Sequence, residues 1–316
     1  MMILITGGSG FIGGHLVEVL CARGERVRCL VRRKTDLAGC AEVVLGDLVR
    51  GAGVEQALDG VDLVIHLAGV TKALRAEDYY LGNVRATEKL ALAVAARGIR
   101  MVHVSSLAAV GPSLDGTPVR EDDEARPVTH YGKSKLEGER IVRQLVPDAV
   151  IVRPPVVYGP RDRDVFQVLK PLSRGIAVQL GSGERWFSAI YVGDLVEGLI
   201  AASAAAGRTY FLANSTPVSW GELRDSAARI MGRGARVLQV PRAAAYAAGL
   251  GAEMFARLTG KPGIISREKV AEALCPYWTC DTRLSASEIG FEARTSLDAG
   301  LALTLEWYRE AGWLKY

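Results

Sequence analysis

An apolar run, Met2-Ile3-Leu4-Ile5, passes directly into Thr6-Gly7-Gly8-Ser9-Gly10-Phe11-Ile12-Gly13, and a helical pattern from His15 to Arg23 then stops at Gly24. The pattern predicts a strand, a tight glycine turn and a helix start. Glycines at positions 7, 10 and 13 let the chain turn sharply and bring its backbone close to a pyrophosphate, whose charge is attracted by the unpaired N–H groups of the helix N-terminus. A dinucleotide cofactor is the first expectation. An ordinary tight strand-to-helix turn stands beside it until the surrounding sequence is read.

The alternation continues down the chain. β-type runs at Met2–Thr6, Arg26–Val31, Val43–Leu45, Asp62–Leu67, Arg100–Ser105 and Ala149–Arg153 are separated by helical patterns, which predicts an α/β fold with a doubly wound parallel sheet. The runs 61–68 and 99–105 are nearly continuous in apolar residues, as in strands covered on both faces. One helix is expected from about Asp78 to Arg97, ended by Gly98, and another from near His130 through Leu145. Beyond about Tyr158 the alternation gives way to short segments rich in Gly, Pro and Arg, with helical patterns at Asp194–Ala205, Gly221–Met231, Ala243–Leu258 and Leu297–Glu310. Residues 1–157 are therefore expected to form a cofactor-binding core. Residues 158–316 are expected to form a smaller C-terminal α/β part facing the substrate, with some segments returning to the core.

Charge and composition narrow the function classes. The formal net charge is only +4, with Lys and Arg spread along the chain rather than gathered in a stripe, so nucleic acid is not an expected partner. The longest apolar stretches are about half the roughly 20 residues of a membrane span, which leaves only a peripheral contact open. No charged n-region precedes an apolar h-region, so a cytoplasmic location is expected. Five cysteines, an odd number at unrelated spacings, are expected as buried small residues rather than a disulfide framework, and Cys275-x4-Cys280 lacks the second ligand pair of a zinc site. The four histidines, His15, His66, His103 and His130, are scattered and expected to be structural, so no metal is expected.

Tyr131-Gly-Lys-Ser-Lys135 places a phenol and an ammonium four residues apart, which on a helix is one face, one turn apart. A free phenol titrates near 10, so acting as a base near neutrality needs roughly 4 kcal/mol of preferential phenolate stabilisation. A neighbouring ammonium and an oxidised nicotinamide ring can supply it together. Upstream, Ser105-Ser106 lies at the carboxyl end of a predicted parallel strand, where ligands bind in open α/β sheets and a hydroxyl can hydrogen-bond a substrate oxygen.

In this order and spacing, the glycine turn, the strand-end serine and the Tyr131/Lys135 pair resemble the extended short-chain dehydrogenase/reductases, the NAD-dependent epimerase/dehydratase family. The resemblance covers nearly the whole chain. Thr6–Gly13 resembles the family's TGxxGxxG turn, Gly46-Asp47-Leu48 its adenine-contacting strand end, and His66-Leu67-Ala68-Gly69 its cofactor-lining segment. Asn83-Val84-Arg85-Ala86-Thr87 resembles NVxGT, Arg153-Pro154-Pro155-Val156-Val157-Tyr158-Gly159-Pro160 resembles RPxxVYGP, and Ile190–Leu195 resembles a later signature. Counting five residues back from Gly111, as the family's Ser/Thr-x4-Gly spacing requires, selects Ser106 over its neighbour Ser105.

The resemblance implies a Rossmann-type fold, a bound NAD or NADP, and a hydride exchanged with a small-molecule hydroxyl or ketone. Tyr131 would be the proton donor or acceptor, Lys135 would hold the nicotinamide ribose and lower the phenol's pKa, and Ser106 would orient the substrate oxygen. Gly7, Gly10, Phe11, Ile12 and Gly13 would line the pyrophosphate, Asp47 and Leu48 the adenine, and Leu67, Ala68, Gly69, Pro154 and Val157 the rest of the cofactor. Asn83, Tyr158 and Arg185 would join Ser106 on the substrate side, and a homodimer is common in the family. The second strand ends Val31-Arg32-Arg33-Lys34 with no carboxylate, so Arg32 and Arg33 are expected to grip a 2′-phosphate and favour NADP, unless they are only a solvated basic edge.

Departures from the family bear on substrate. Dehydratase relatives carry Asp-Glu after the catalytic hydroxyl, where this chain has Leu107-Ala108, so dehydration is disfavoured. Phe187 stands where nucleotide-sugar relatives place an arginine, and Pro155 where some sugar epimerases use asparagine. Trp186, Phe187 and the apolar segment Ala243–Leu258 suggest a hydrophobic substrate, steroid- or flavonoid-like, if they wall a pocket rather than pack the core. A nucleotide-sugar 4-epimerase, with Arg185 replacing the missing arginine, and a non-catalytic cofactor-binding subunit are the alternatives.

Overall fold

All six strands expected in the first half form: β1 (Met2–Thr6), β2 (Arg26–Val31), β3 (Glu42–Leu45), β4 (Leu63–His66), β5 (Arg100–Val104) and β6 (Val150–Arg153). The computed structural model describes residues 1–35, 37, 39–260, 263 and 265–316. The strands pair in parallel in the order β6-β5-β4-β1-β2-β3, and Thr209–Phe211, from the second half, adds a seventh strand beside β6. This is a doubly wound, Rossmann-like sheet. Its strand order reverses between β1 and β4, which opens a crevice at their carboxyl ends.

The near-continuous apolar runs follow from burial on both faces. Ile3 and Ile5 of β1 point to one side, against Leu16, Val17 and Leu20 of the helix Phe11–Ala22 and Leu195 and Leu199 of the helix Val192–Ala202. Met2 and Leu4 point to the other, against Leu90 and Val94 of the helix Ala86–Ala95 and Val142 of the helix His130–Leu145. Period-two alternation thus feeds two cores at once.

Three expectations need correction. The single helix expected from Asp78 to Arg97 is divided into Ala76–Tyr80, a π-helical turn Leu81–Arg85, and Ala86–Ala95. The wide turn swings Asn83 inward. There its amide accepts from Val70 N at 2.6 Å and donates to Val70 O and Ser134 Oγ, both at 2.9 Å. Cys21 and Cys40 are joined in a disulfide at the end of the helix Phe11–Ala22, with Cα atoms 6.0 Å apart. Cys29 and Cys280 are buried and Cys275 half-buried.

Third, of the two readings open for the segment Ala243–Leu258, core packing does not hold. The segment forms the helix Arg242–Thr259, which buries only Ala245, Gly249 and Ala256 and packs on the following helix, Arg267–Leu274. Elsewhere the second half builds small sheets: Val156–Tyr158 with Ala189–Tyr191, Ile176–Leu180 with Arg236–Val240, and Trp186–Phe187 between Val218–Ser219 and Tyr277–Trp278.

Candidate active site

The glycine turn sits at the crevice. Gly7 has φ of 77°, in the left-handed region, and a Cβ on it would lie 2.7 Å from Ala68 N, so the turn is pressed against the segment that follows β4. A Cβ on Gly13 would lie 2.2 Å from Gly7 O. Gly10 caps the helix Phe11–Ala22 without any side-chain bond, leaving the first-turn N–H groups of Phe11, Ile12 and Gly13 to face the crevice uncapped. Such a cradle fits a pyrophosphate.

Beneath it, Thr6 Oγ1 meets His66 Nδ1 at 2.6 Å, and His66 Nε2 meets Thr87 Oγ1 at 3.0 Å. Burial, helped by the nearby Lys135 charge, pushes the His66 imidazole down to about 3, and burial holds His103 well below its ordinary value, so both rings are neutral. Each has a structural place in the sheet. The same Thr6 hydroxyl accepts from Ala68 N at 3.3 Å, fixing the Leu67-Ala68-Gly69 segment.

The helix His130–Leu145 starts where Thr129 Oγ1 accepts from Gly132 N at 3.1 Å. It is locked to β6 by a buried two-point ion pair in which Arg153 Nε and Nη2 donate to Glu139 at 2.9 and 2.7 Å. Burial alone would raise the Glu139 carboxyl; Arg153 holds it below the usual range. The lock sets two turns of helix in place. Lys135 is buried, its Nζ donates to Val104 O at 2.7 Å, and burial lowers it to about 8.

Ser106 follows β5 and begins a 3-10 turn, accepting from Ala108 N at 3.1 Å, while Leu107 N donates to Pro154 O at 2.9 Å. Ser106 and Pro154, from different expected motifs, are therefore neighbours. The Ser106 side chain also stands close enough to the Tyr131 phenol to pull its pKa down. Burial raises that phenol above its ordinary value, against the pull of Ser106 and of the Lys269 charge. The lowering expected from the sequence involves an oxidised nicotinamide ring together with an ammonium, and without that ring burial dominates. A difference concerns the cation at the ring: it is Lys269, whose Nζ lies 5.6 Å from the ring centroid of Tyr131.

Lys269 was not foreseen. It belongs to the helix Arg267–Leu274, in which Glu268 accepts from His130 N at 3.1 Å and Glu272 accepts from Lys269 Nζ at 2.8 Å. The helix thereby roofs the start of the Tyr131 helix. Nothing in Arg267-Glu-Lys-Val-Ala-Glu-Ala-Leu274 separates it from an ordinary solvated helix, so no sequence signal pointed to it. Tyr79 closes another side, its ring 6.3 Å from that of Tyr131.

At the far end of the crevice, Arg32 and Arg33 are exposed after β2, and Asp47-Leu48 follows β3. The Asp47 carboxylate accepts from Val49 N at 2.8 Å and Arg50 N at 3.2 Å within its own loop. Val157 packs on the sheet core beside this face.

Three residues expected on the substrate side have other surroundings. The Asn83 amide is buried and fully engaged by Val70 and Ser134. Tyr158 is in the second-half core, with its hydroxyl against Gly300, because the Val156–Tyr158 strand turns that ring inward. Arg185 lies half-buried beside Gly181, and burial together with the neighbouring Arg242 charge lowers its pKa. Ser106 and Lys135 both adjoin β5 and Tyr131 lies one turn before Lys135, while Asn83 meets Lys135 at Gly69 and Tyr158 and Arg185 lie in the second half.

Comparisons with known proteins agree with this architecture. A profile of the NAD dependent epimerase/dehydratase family matches residues 3–213. The chain is 32% identical to a ceramide reductase of Caulobacter vibrioides, over 99% of this chain and 96% of the relative. It is 31% identical to a 4-hydroxy-2-methyl-3-oxo-4-farnesyl-3,4-dihydroquinoline-1-oxide ketoreductase of Stigmatella aurantiaca, over 95% of each. Among solved structures it is similar to MoeE5 in complex with UDP-glucuronic acid and NAD, with a TM-score of 0.81 and 26% identity over 98% of this chain and 100% of the other.

Proposed function

Since the chain belongs to the NAD-dependent epimerase/dehydratase family and is an NAD(P)-dependent oxidoreductase, we propose that it reduces a ketone on an apolar molecule, with NADPH preferred over NADH. The observation that carries this is the meeting of Ser106, at the end of β5, with the Tyr131 phenol, whose ring has Lys269 Nζ 5.6 Å from its centroid. When bound, the nicotinamide supplies a hydride from its ring carbon C4. Tyr131 then gives its proton to the carbonyl oxygen, Ser106 hydrogen-bonds that oxygen, and the Lys135 and Lys269 ammonium groups favour the phenolate left behind. No carboxylate pair stands at Leu107-Ala108 to remove water from a substrate.

Gly7, Gly10, Phe11, Ile12 and Gly13 hold the pyrophosphate in this reading, Lys135 the nicotinamide ribose, and Asp47 and Leu48 border the adenine. Leu67, Ala68, Gly69, Pro154 and Val157 line the nicotinamide half, and Arg32 and Arg33 take the 2′-phosphate. Support for an apolar substrate comes from the names of the relatives, a ceramide reductase and a farnesylated-quinoline ketoreductase, and from the aromatic strands Trp186–Phe187 and Tyr277–Trp278. Ser113 bridges Tyr277, so those rings adjoin the loop that begins at Ser106.

Residues 1–157 form the cofactor part in this proposal and 158–316 mainly the substrate part. A cytoplasmic location belongs to it as well, and there Cys21 and Cys40 would stand as thiols. Dimerisation would use the groove of about 850 Å³ between the turn Leu81–Arg85 and the helix His130–Leu145, lined by Val84, Arg85, Lys133, Leu136, Arg140 and Ile141.

Tyr131→Phe tests the reading. Loss of ketone-dependent NADPH oxidation, followed by nicotinamide absorbance, with cofactor binding retained is expected. Undiminished turnover refutes the role of Tyr131, and isomerised UDP-sugar without net absorbance change points to the epimerase instead.

A further inference from the structure

A helix on the surface of a water-soluble fold turns its apolar stripe inward and its charges outward. The helix Arg242–Thr259 does the reverse. What it buries is small, Ala245, Gly249 and Ala256, and Gly249 sits so close to the next helix that a Cβ would meet Arg267 N at 3.1 Å. What it exposes is large. Leu250, Met254, Phe255 and Leu258 are 46%, 59%, 68% and 86% exposed, with Tyr246 on the preceding turn. The strand that feeds the helix, Arg236–Val240, adds exposed Val237 and Leu238.

The charge of the same segment is one-sided. Between Met231 and Arg267 the described residues include five exposed arginines, Arg233, Arg236, Arg242, Arg257 and Arg267, against one carboxylate, Glu253, which Arg267 holds at 2.9 Å. A region this short carries an excess as large as the net +4 of the whole chain.

Exposed Leu, Met and Phe side chains rimmed by arginine match the boundary between headgroups and acyl chains of an anionic bilayer, where apolar groups leave water and cations meet lipid phosphate. A second copy of the chain fits less well. A two-fold contact through this face would bring both arginine sets together. Among the described residues no helix is long and apolar enough to cross a membrane, so the helix would lie on the surface.

We propose that the outer face of the helix Arg242–Thr259 docks the protein on an anionic lipid bilayer. Beneath that face lies the helix Arg267–Leu274, which holds Lys269 over Tyr131 and Glu268 on His130, so the docked surface stands next to the roof of the candidate active site. The inference does not depend on the substrate reading, because lipid binding is measurable with no substrate present.

Co-sedimentation of the full chain with vesicles of phosphatidylcholine mixed with phosphatidylglycerol, against phosphatidylcholine alone, tests it. Binding to the mixed vesicles should be about tenfold tighter or more at low salt and should weaken as salt is raised. Phe255→Asp with Leu258→Asp should weaken it by about tenfold or more while the melting temperature is unchanged. Arg242→Glu with Arg257→Glu should abolish the preference for anionic lipid without touching an apolar side chain. Wild-type protein left in the supernatant with mixed vesicles overturns the proposal, as does undiminished binding by the double aspartate variant. So does a dimer that those aspartates convert to monomer while wild type ignores vesicles, since the face would then join two copies.

Discussion

Gly13 and Gly14 are adjacent in one helix, yet replacing each with alanine should have opposite results. A Cβ at Gly13 would lie 2.2 Å from Gly7 O and 2.8 Å from both Gly7 C and Gly8 Cα, all of them backbone atoms that no rotamer can move aside. To reach even 3.0 Å the turn must open by 0.8 Å. That displacement draws the helix N-terminus away from a pyrophosphate it has to approach closely. Losing one or two charge-assisted N–H bonds, about 1.5–3 kcal/mol each, weakens cofactor binding by roughly 10- to 10⁴-fold. At Gly14 the nearest atoms are Arg161 Nη1 at 3.6 Å and Gly8 O at 3.8 Å, which is ordinary contact. Gly14→Ala should leave affinity within about twofold and stabilise the helix by up to about 1 kcal/mol. Titration with NADPH, followed by quenching of protein fluorescence, beside thermal melting of both variants, separates lost binding from lost folding. Near-wild-type affinity in Gly13→Ala, or an equal loss in Gly14→Ala, would refute the steric account of the turn.

Other perturbations are read with the same equipment. Arg32→Ser with Arg33→Ser should reduce NADPH affinity about ten- to a hundredfold and leave NADH nearly unchanged; equal losses for both cofactors would place the arginines away from the 2′-phosphate. Lys269→Met removes a charge that favours the phenolate, so the pKa of Tyr131 rises further and the Tyr131-controlled limb of the pH–rate profile should move to higher pH. A profile that stays in place would show that Lys269 only roofs the site. Arg153→Met takes the two-point partner from buried Glu139 and leaves it only Arg143 at 3.1 Å, so it should cost about 3 kcal/mol and lower the melting temperature by on the order of 5 °C. Adding Glu139→Leu should recover most of that loss, and failure of the single variant to destabilise would mean water replaces the pair.

What could be read from the chain and what could not divides on physical lines. β1 to β6 were legible because strands buried on both faces must be apolar almost throughout, and the glycine turn because its spacing meets a steric need at Gly7 and Gly13. Ser106 could be chosen over Ser105 by spacing, and the structure has Ser106 facing Tyr131. The break at Leu81–Arg85 was hidden because helical periodicity is the same on both sides of a π turn, and its cause, Asn83 bonding Val70 and Ser134, is tertiary. Lys269 was hidden for a similar reason: it acts from a helix far along the sequence, and charge on an exposed helix has no local mark of what it will face. The Cys21–Cys40 pair depends on a tertiary approach of the two Cα atoms, which cysteine spacing does not encode. In the helix Arg242–Thr259 the periodicity holds while the fate of its apolar face stayed open, because periodicity tells which side is apolar and not what that side meets.

The seventh strand, Thr209–Phe211, hydrogen-bonds β6, with Ile151 N donating to Arg208 O at 2.8 Å. Synthesis must therefore proceed more than fifty residues past β6 before that strand stops being an open edge. A fragment ending at residue 157 would hold every glycine of the crevice and still present a bare hydrogen-bonding margin along an apolar strand, ready to pair with its own kind. The nucleotide half is not a module that can be cut free, and a growing chain on the ribosome is at its most adhesive in just that interval.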